Sequence, residues 1–158
     1  AIAVPILFLA TTPVPAATPG DDPSVPAILS AAEALFQTMK DRNYRATWAV
    51  LTAKSRDTIV SELEEAIRSS GRDPVTKDGI RGDFAAGGPL CRTYGEGFLR
   101  RFNPDEALER SRWEMGEVGK DRAEVLITHR GADRPAVLRM FKEEGAWKAG
   151  LVETFWGR

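Results

Sequence analysis

The stretch from Arg112 to Trp156 reads RWEMGEVGKDRAEVLITHRGADRPAVLRMFKEEGAWKAGLVETFW, and it decides the fold. Apolar and polar residues alternate through four segments, which are separated by short stretches rich in turn-forming residues. Alternation with a period of two is typical of strands that bury one face. The pattern predicts an antiparallel meander of four strands at 112–118, 121–130, 135–144 and 146–156.

Turn chemistry and alternation together predict how these strands pair. A two-residue turn at Glu144-Gly145 sets the last hairpin, and loops around 131–134 and 119–121 set the other two. The predicted pairs are Trp113 with Ile127, Met115 with Val125, Ile127 with Leu138, Val125 with Met140, His129 with Ala136, Leu138 with Leu151, Met140 with Ala149 and Lys142 with Trp147. One face then carries nearly all large apolar groups: Trp113, Met115, Ala123, Val125, Ile127, Leu138, Met140, Trp147, Ala149, Leu151 and Phe155.

The opposite face of the predicted sheet is mostly charged, yet it also carries five large apolar side chains. A face in contact with water does not need them, and exposed apolar patches often mark partner surfaces. We therefore predict a homodimer through this face. The alternative is that the N-terminal arm or a loop covers it. The five residues are Leu126, Val137, Phe141, Val152 and Trp156.

The residues before the sheet follow helical spacing. Ser24 and Asn43 are suited to cap the first two helices, because both side chains can accept a backbone hydrogen bond. Residues 105–109 are predicted to lead into the sheet. The predicted fold class is α+β, with N-terminal helices packed on a curved four-stranded antiparallel sheet to form a cone that holds a pocket. The predicted helices are 25–39, 44–52, 55–69, 79–86 and 90–102.

Bulk composition limits the classes of function. The chain has 158 residues, 42% of them hydrophobic, which suits one domain with a core. The net charge is −1, from 22 basic and 23 acidic residues, so there is no electrostatic argument for nucleic acid as a partner. A single cysteine, Cys91, excludes an intrachain disulfide, and a single histidine excludes the usual Cys/His zinc site. We expect neither a metal nor a cofactor.

The first 17 residues resemble the end of a secretory signal peptide. An apolar run from Ile2 to Ala10 is followed by the small residues Ala16 and Ala17, which suit a cleavage site. The run is too short for a transmembrane helix. This predicts export to the periplasm or beyond, with 18–23 as a flexible leader and 24–158 as a single domain. The alternative is an ordinary N-terminal arm.

The predicted register brings polar groups together at one end of the sheet. Ser111, His129, Ala136 and Glu153 fall in one row, with His129 and Glu153 roughly 10 Å apart at Cβ. A serine, a histidine and a carboxylate invite a hydrolase interpretation, although nothing resembles a nucleophile elbow. The row can equally close the open end of the core or bind a ligand. Ser111, His129 and Glu153 are the candidate catalytic residues.

A cluster of basic residues flanks the start of the sheet. Acidic residues lie between the arginines in the sequence, so an ion-pair network on the surface is predicted in preference to an anion site. The arginines are Arg100, Arg101, Arg110 and Arg112, and the acidic residues are Asp105, Glu106 and Glu109.

Two motifs, DRNYRATWAVLT at 41–52 and FKEEGAWKAGLVE at 141–153, carry a resemblance to a known superfamily. Over residues 26–156 the chain resembles the nuclear-transport-factor-2-like superfamily of SnoaL-like and lumazine-binding-like proteins, in particular its exported bacterial members. The resemblance implies a cone of helices closed by a curved sheet, with a pocket between them and often dimerisation through the sheet. Members include isomerases, dehydratases and cyclases with Asp, His or Tyr acid–base groups. The matched residues are Asp41, Tyr44, Trp48, Leu51, Gly145, Trp147 and Lys148.

We therefore expect a non-catalytic exported protein that binds a small apolar or amphipathic ligand or a partner in the cell envelope. The alternative is a small enzyme, an isomerase or a hydrolase, that uses His129 and Glu153 at the mouth of the pocket. A purely structural interaction protein is a third class, favoured if aromatic side chains fill the pocket. The predicted pocket residues are Trp48, Tyr94, Phe98, Trp113, His129 and Glu153.

Overall fold

A computed structural model describes residues 18–156, so the predicted signal peptide at 1–17 lies outside the described residues. The described residues form an α+β fold, in which helices pack on a four-stranded antiparallel sheet. A short 3-10 turn, Pro19–Asp21, comes first. The elements are α1 (Val25–Lys40), α2 (Tyr44–Val50), α3 (Ala53–Ser69), α4 (Lys77–Ala86), α5 (Pro89–Leu99), α6 (Pro104–Leu108), β1 (Ser111–Val118), β2 (Arg122–His129), β3 (Ala136–Glu143), β4 (Ala146–Gly150) and α7 (Leu151–Phe155).

The sheet is the predicted meander, with strands in the order β1-β2-β3-β4. The register of β1 on β2 is confirmed, since Trp113 faces Ile127 and Ser111 faces His129. The register of the last hairpin is also confirmed, since Met140 faces Ala149. The predicted apolar face is the buried one, and Val125, Met140 and Ala149 on it have no exposed surface.

The pairing of β2 with β3 differs from the prediction by two residues. Ile127 faces Ala136 and Val125 faces Leu138, so His129 has no partner on β3. A turn closes at once after β2, where the Ala132 N–H donates to the His129 carbonyl at 2.9 Å. Pro135, which has no N–H to donate, then precedes β3. A shift of two residues keeps every side chain on its predicted face, so the face assignment survives the error.

The fourth strand is shorter than predicted, because β4 ends at Gly150 and residues Leu151–Phe155 form helix α7. The predicted pair of Leu138 with Leu151 is therefore wrong. Gly150 marks the change of direction: a Cβ there would lie 2.8 Å from the Phe141 ring and 3.0 Å from the Arg139 carbonyl oxygen. The backbone approaches β3 so closely at this point that only glycine fits.

The helices match the prediction in number and order up to α5, with shifted ends. Asn43 caps α2 as predicted, and its side chain accepts a hydrogen bond from the Ala46 N–H. Ser24 occupies the N-cap position of α1 without making a capping bond, and its hydroxyl donates to Asp22 instead. Thr52 caps α3, which starts two residues earlier than predicted. Residues predicted to lead into the sheet form α6.

Both edges of the sheet are in contact with other parts of the chain. The linker between α2 and α3 pairs with β4, where the Thr52 N–H donates to the Ala149 carbonyl at 3.0 Å. The 3-10 turn of the predicted leader contacts β1. At the β4 edge, the Thr52 hydrogen bond uses a backbone carbonyl that would otherwise be open to another chain. Among the described helices, none is long and apolar enough to cross a membrane.

Candidate functional site

His129 ends β2 directly beside Ser111, the first residue of β1, as predicted. The carboxylate that contacts its ring belongs to Glu106 in α6, which forms an ion-pair contact with His129 Nε2. Arg110 Nη1 donates to the same carboxylate at 3.0 Å. Glu106 is therefore the acid beside the histidine, and Glu153 is not.

Helix α6 is the element that brings Glu106 to this position. The Asn103 side chain accepts a hydrogen bond from the Asp105 N–H at 3.0 Å, and Pro104 occupies the first turn. Asparagine followed by proline and two acidic residues is a known helix start, so the sequence did contain a signal for α6. The Ser111 hydroxyl donates to the Glu106 carbonyl oxygen at 2.5 Å and closes the turn into β1.

Glu153 lies elsewhere, in α7, and its carboxylate is bound at the start of α3. The Thr52 hydroxyl donates to one carboxylate oxygen at 2.7 Å and the Ser55 hydroxyl to the other at 2.9 Å. Ser55 also accepts a hydrogen bond from the Val152 N–H at 3.1 Å. A negative charge is favourable at a helix N-terminus, so this contact anchors α7. The predicted row that joined His129 to Glu153 through Ala136 is not formed.

The interpretation of Ser111 as a hydrolase nucleophile loses its geometric basis. An activated serine needs to donate its proton to the histidine, but the Ser111 hydroxyl is used by a backbone carbonyl. The buried thiol of Cys91 is no substitute nucleophile, because burial raises its pKa to about 11 and keeps it protonated at neutral pH. Within residues 18–156, no three His, Cys, Asp or Glu side chains are grouped to hold a metal.

Only three of the six predicted pocket residues are brought together. Trp48, Tyr94 and Phe98 line an apolar cavity of only about 40 Å³ between the helices and α7. Trp113 lies apart from it, packed edge-on against Phe36 at 5.7 Å between ring centroids. An engineered apolar cavity that binds benzene has a volume of about 150 Å³. The space among these helices is therefore largely filled by side chains in the described part of the chain.

A larger concave surface lies outside this packed interior, and we call it the end groove. Its volume is about 270 Å³. Its lining is almost entirely apolar, and the half-exposed His129–Glu106 pair borders it; we call this border the rim. Its apolar lining residues are Phe36, Phe102, Ala107, Ile127, Ala136, Leu138 and Phe155, and its residues with polar side chains are Glu106, Ser111, His129 and Thr154.

The predicted dimer surface is reduced from five apolar residues to three. Leu126, Val137 and Phe141 remain half-buried on the outer face of β2 and β3. Val152 lies in α7 and is buried within the chain, and Trp156 follows the same helix. Neither belongs to the outer face, because the strand that would have placed them there ends at Gly150.

The α+β architecture agrees with the fold class that the superfamily resemblance implies, but many unrelated proteins share a fold class. Membership of the nuclear-transport-factor-2-like superfamily therefore stays a prediction, and function has to be inferred from the grooves and contacts of this chain. No protein-family model, no curated protein and no solved structure matches the sequence or the fold.

Proposed function

We propose that the protein binds a small amphipathic molecule in the end groove, without chemical change, as an exported accessory protein. One observation carries this proposal: the end groove is an almost wholly apolar concavity bordered by the His129–Glu106 pair, whereas the interior cavity of about 40 Å³ is too small. Sites for small molecules are typically concave, mainly apolar and equipped with a few polar groups.

The rim indicates which polar head group the ligand carries. Glu106 is negative, but His129 and Arg110 already contact its carboxylate, so the rim offers both signs at close range. A neutral hydroxyl can donate a hydrogen bond to the Glu106 carboxylate, whose charge Arg110 and His129 already balance. The volume of about 270 Å³ suits one ring or a short chain. We therefore expect an uncharged alcohol or phenol with a short apolar tail.

Titration with 1-octanol, followed by amide NMR, tests this proposal. The amides of Ile127 and Ala136 should shift on binding, and thermal unfolding should be displaced upwards. A ligand at 100 times its dissociation constant adds about 2.7 kcal/mol to stability. Ala136→Trp should abolish both effects by filling the groove, while the control Ala146→Trp, at an exposed alanine of β4, should leave them intact. Equal binding to both variants would contradict the proposal.

Acid–base catalysis at the same rim is the second candidate, because His129 has a carboxylate partner that can orient its ring. Hydrolysis of p-nitrophenyl hexanoate by the wild type and by His129→Gln separates the two functions. A binding protein should show no difference between them. A rate about 100-fold lower in the variant would favour the enzyme.

Export rests on the sequence of residues 1–17 alone, which lie outside the described range. Cleavage after Ala17 should leave Thr18 as the first residue of the mature protein. Mass spectrometry of the protein isolated from its producing cells measures this N-terminus directly. An intact apolar run from Ile2 to Ala10 in that sample would refute the signal-peptide interpretation.

Self-association through the outer face of the sheet is also proposed. Leu126 and Val137 are cross-strand partners at the centre of that face, and Phe141 lies further along β3. Charged residues of both signs surround them, including Arg112 and Glu114 on β1. Such a face can complement a second copy of itself across a two-fold axis, because positive groups then meet negative ones.

A further inference from the structure

Two arginines at the end of α5 do not form the ion pairs that the sequence predicted for them. Arg100 and Arg101 are exposed, and neither has a carboxylate within 4.0 Å among the described residues. The nearby carboxylates form ion pairs with other basic residues. Lys40 Nζ lies 2.7 Å from Asp105 and 2.5 Å from Glu109, and Arg110 and His129 share Glu106.

These two arginines border a second groove, which we call the arginine groove, of about 430 Å³. Its walls are the aromatic side chains of Tyr94, Phe98, Phe102 and Trp156. Trp156 remains 41% exposed, and it is one of two large apolar side chains that stay exposed in the described chain. Large aromatic side chains are normally well buried, so an indole left open beside a groove is available to a ligand.

The electrostatics of the arginine groove favour an anion. Glu96, one turn before Arg100 on α5, is neutralised by an ion pair with Arg42 and by the Tyr44 hydroxyl. Burial, with a smaller contribution from Glu62, raises the pKa of Tyr94 to about 12, so its phenol stays protonated and can donate. Arginine binds carboxylates through two parallel hydrogen bonds and also stacks on aromatic rings.

We propose that the arginine groove binds a small planar aromatic carboxylate. Its ring stacks on Trp156 and Phe98, and its carboxylate is held by Arg100 and Arg101. The four aromatic walls favour a ring over a flexible chain, because offset stacking rewards flat partners. Gly97 contributes by its lack of a side chain, which keeps the floor between the walls low. This site is separate from the end groove, and the two share only the Phe102 ring.

The test uses 2-naphthoate as the probe and 2-naphthamide as its uncharged counterpart, with the full chain. Binding is followed by NMR. The four tryptophans should give four indole N–H signals, and the signal that is missing in Trp156→Phe belongs to Trp156. Naphthoate should shift the Trp156 indole and the Gly97 amide, and should bind about tenfold more tightly than the amide. The affinity for naphthoate should fall as salt is added.

Arg100→Gln combined with Arg101→Gln should weaken naphthoate binding about tenfold or more and leave naphthamide binding unchanged. The matched control is Arg92→Gln combined with Arg45→Gln, which removes the same charge from exposed arginines outside the groove and should change neither affinity. Because all four arginines are exposed, both variants are expected to fold, and their thermal unfolding is measured alongside.

Three results would overturn this assignment. The first is equal affinity for naphthoate and naphthamide, and the second is equal loss of binding in the control variant. The third is binding to phosphatidylglycerol vesicles with no binding of soluble naphthoate, which would point to a membrane surface. Octanol binding at the end groove does not depend on Arg100 or Arg101. If naphthoate does not bind, the proposed function is therefore unaffected, and if octanol does not bind, the arginine-groove proposal is unaffected.

Discussion

At the scale of single residues, one polar contact holds α2 against α5. The Tyr44 hydroxyl donates to Glu96 at 2.6 Å, and Arg42 forms an ion pair with the same carboxylate. Hydrogen bonds from Arg42 and Tyr44 lower the pKa of Glu96, while burial and the nearby Glu96 raise the pKa of Tyr44 to about 12. The contact is therefore complete when Glu96 is ionised and Tyr44 is protonated, which is the state at neutral pH.

The lowered pKa of Glu96 predicts a loss of stability in acid. A carboxyl whose pKa is lower in the folded state stabilises the fold above its unfolded pKa, near 4.5, and this contribution disappears as the pH falls through the folded pKa. Glu96→Gln should therefore melt below the wild type at neutral pH, and the difference should shrink below pH 4.5 and vanish once the folded carboxyl is protonated. Thermal unfolding across this range measures it.

Glu33→Gln is the control for that series, since Glu33 is an exposed residue of α1 with no ion pair among the described residues. Its melting temperature should stay close to that of the wild type throughout. If the difference in melting temperature between the wild type and Glu96→Gln stays the same in acid, the charge of Glu96 does not contribute to stability and side-chain packing accounts for the effect.

At the scale of elements, two glycines of α5 have opposite roles. A Cβ added at Gly95 would overlap the Tyr44 ring, whereas one added at Gly97 would meet only the end of Arg100, at 3.5 Å. Gly95 is thus required for the close approach of α5 to α2. Gly97 lowers the stability of the helix, because glycine is a poorer helix former than alanine, although it also lines the arginine groove.

The same substitution at these two sites should change stability in opposite directions. Gly95→Ala should destabilise the protein by about 1–3 kcal/mol through overpacking. Gly97→Ala should stabilise it by about 0.5–1 kcal/mol. Urea denaturation followed by circular dichroism measures both, and each variant is the control for the other. Destabilisation by both would mean that α5 tolerates no added side chain on either face.

At the scale of the whole molecule, we predict a dimer through the outer face of the sheet. A single charged substitution in that face should dissociate it. Val137→Asp places a carboxylate at the centre of the patch and should convert a dimer into a monomer, because an unpaired buried charge is strongly unfavourable. Val137 is a better site than Phe141, whose ring packs over Gly150 and supports the end of β4.

Analytical ultracentrifugation of the wild type and of Val137→Asp measures the mass of each in solution. Ala85→Asp, which adds the same charge at an exposed position of α4, should leave the dimer intact. If the wild type and Val137→Asp sediment with the same mass, the outer face is not an interface.

Local patterns in the sequence predicted much of this fold. The alternation of apolar residues assigned the buried face of the sheet, and the turn at Glu144-Gly145 predicted the last hairpin, in which both residues have positive φ. Asn43 was identified as a cap from its side chain alone. These features depend on residues close together in the chain, so the sequence contains the information that determines them.

The candidate site depended on contacts between distant residues. A side chain at Gly150 would meet β3, and the Glu153 carboxylate accepts a hydrogen bond from Ser55, which lies 98 positions earlier. The partner of His129 comes from α6, a five-residue helix whose sequence signal is short. Neither groove could be predicted, since each forms where several elements meet.

By itself, the sequence determined the α+β class, the order of the strands and the side of the sheet that is buried. Only the tertiary structure decided the register of β2 on β3, the helix that replaces the end of the fourth strand, and the carboxylate beside His129. The physical reason is the period of two along a strand. Registers that differ by two residues bury the same side chains, so alternation cannot distinguish them, and packing across the whole molecule selects one.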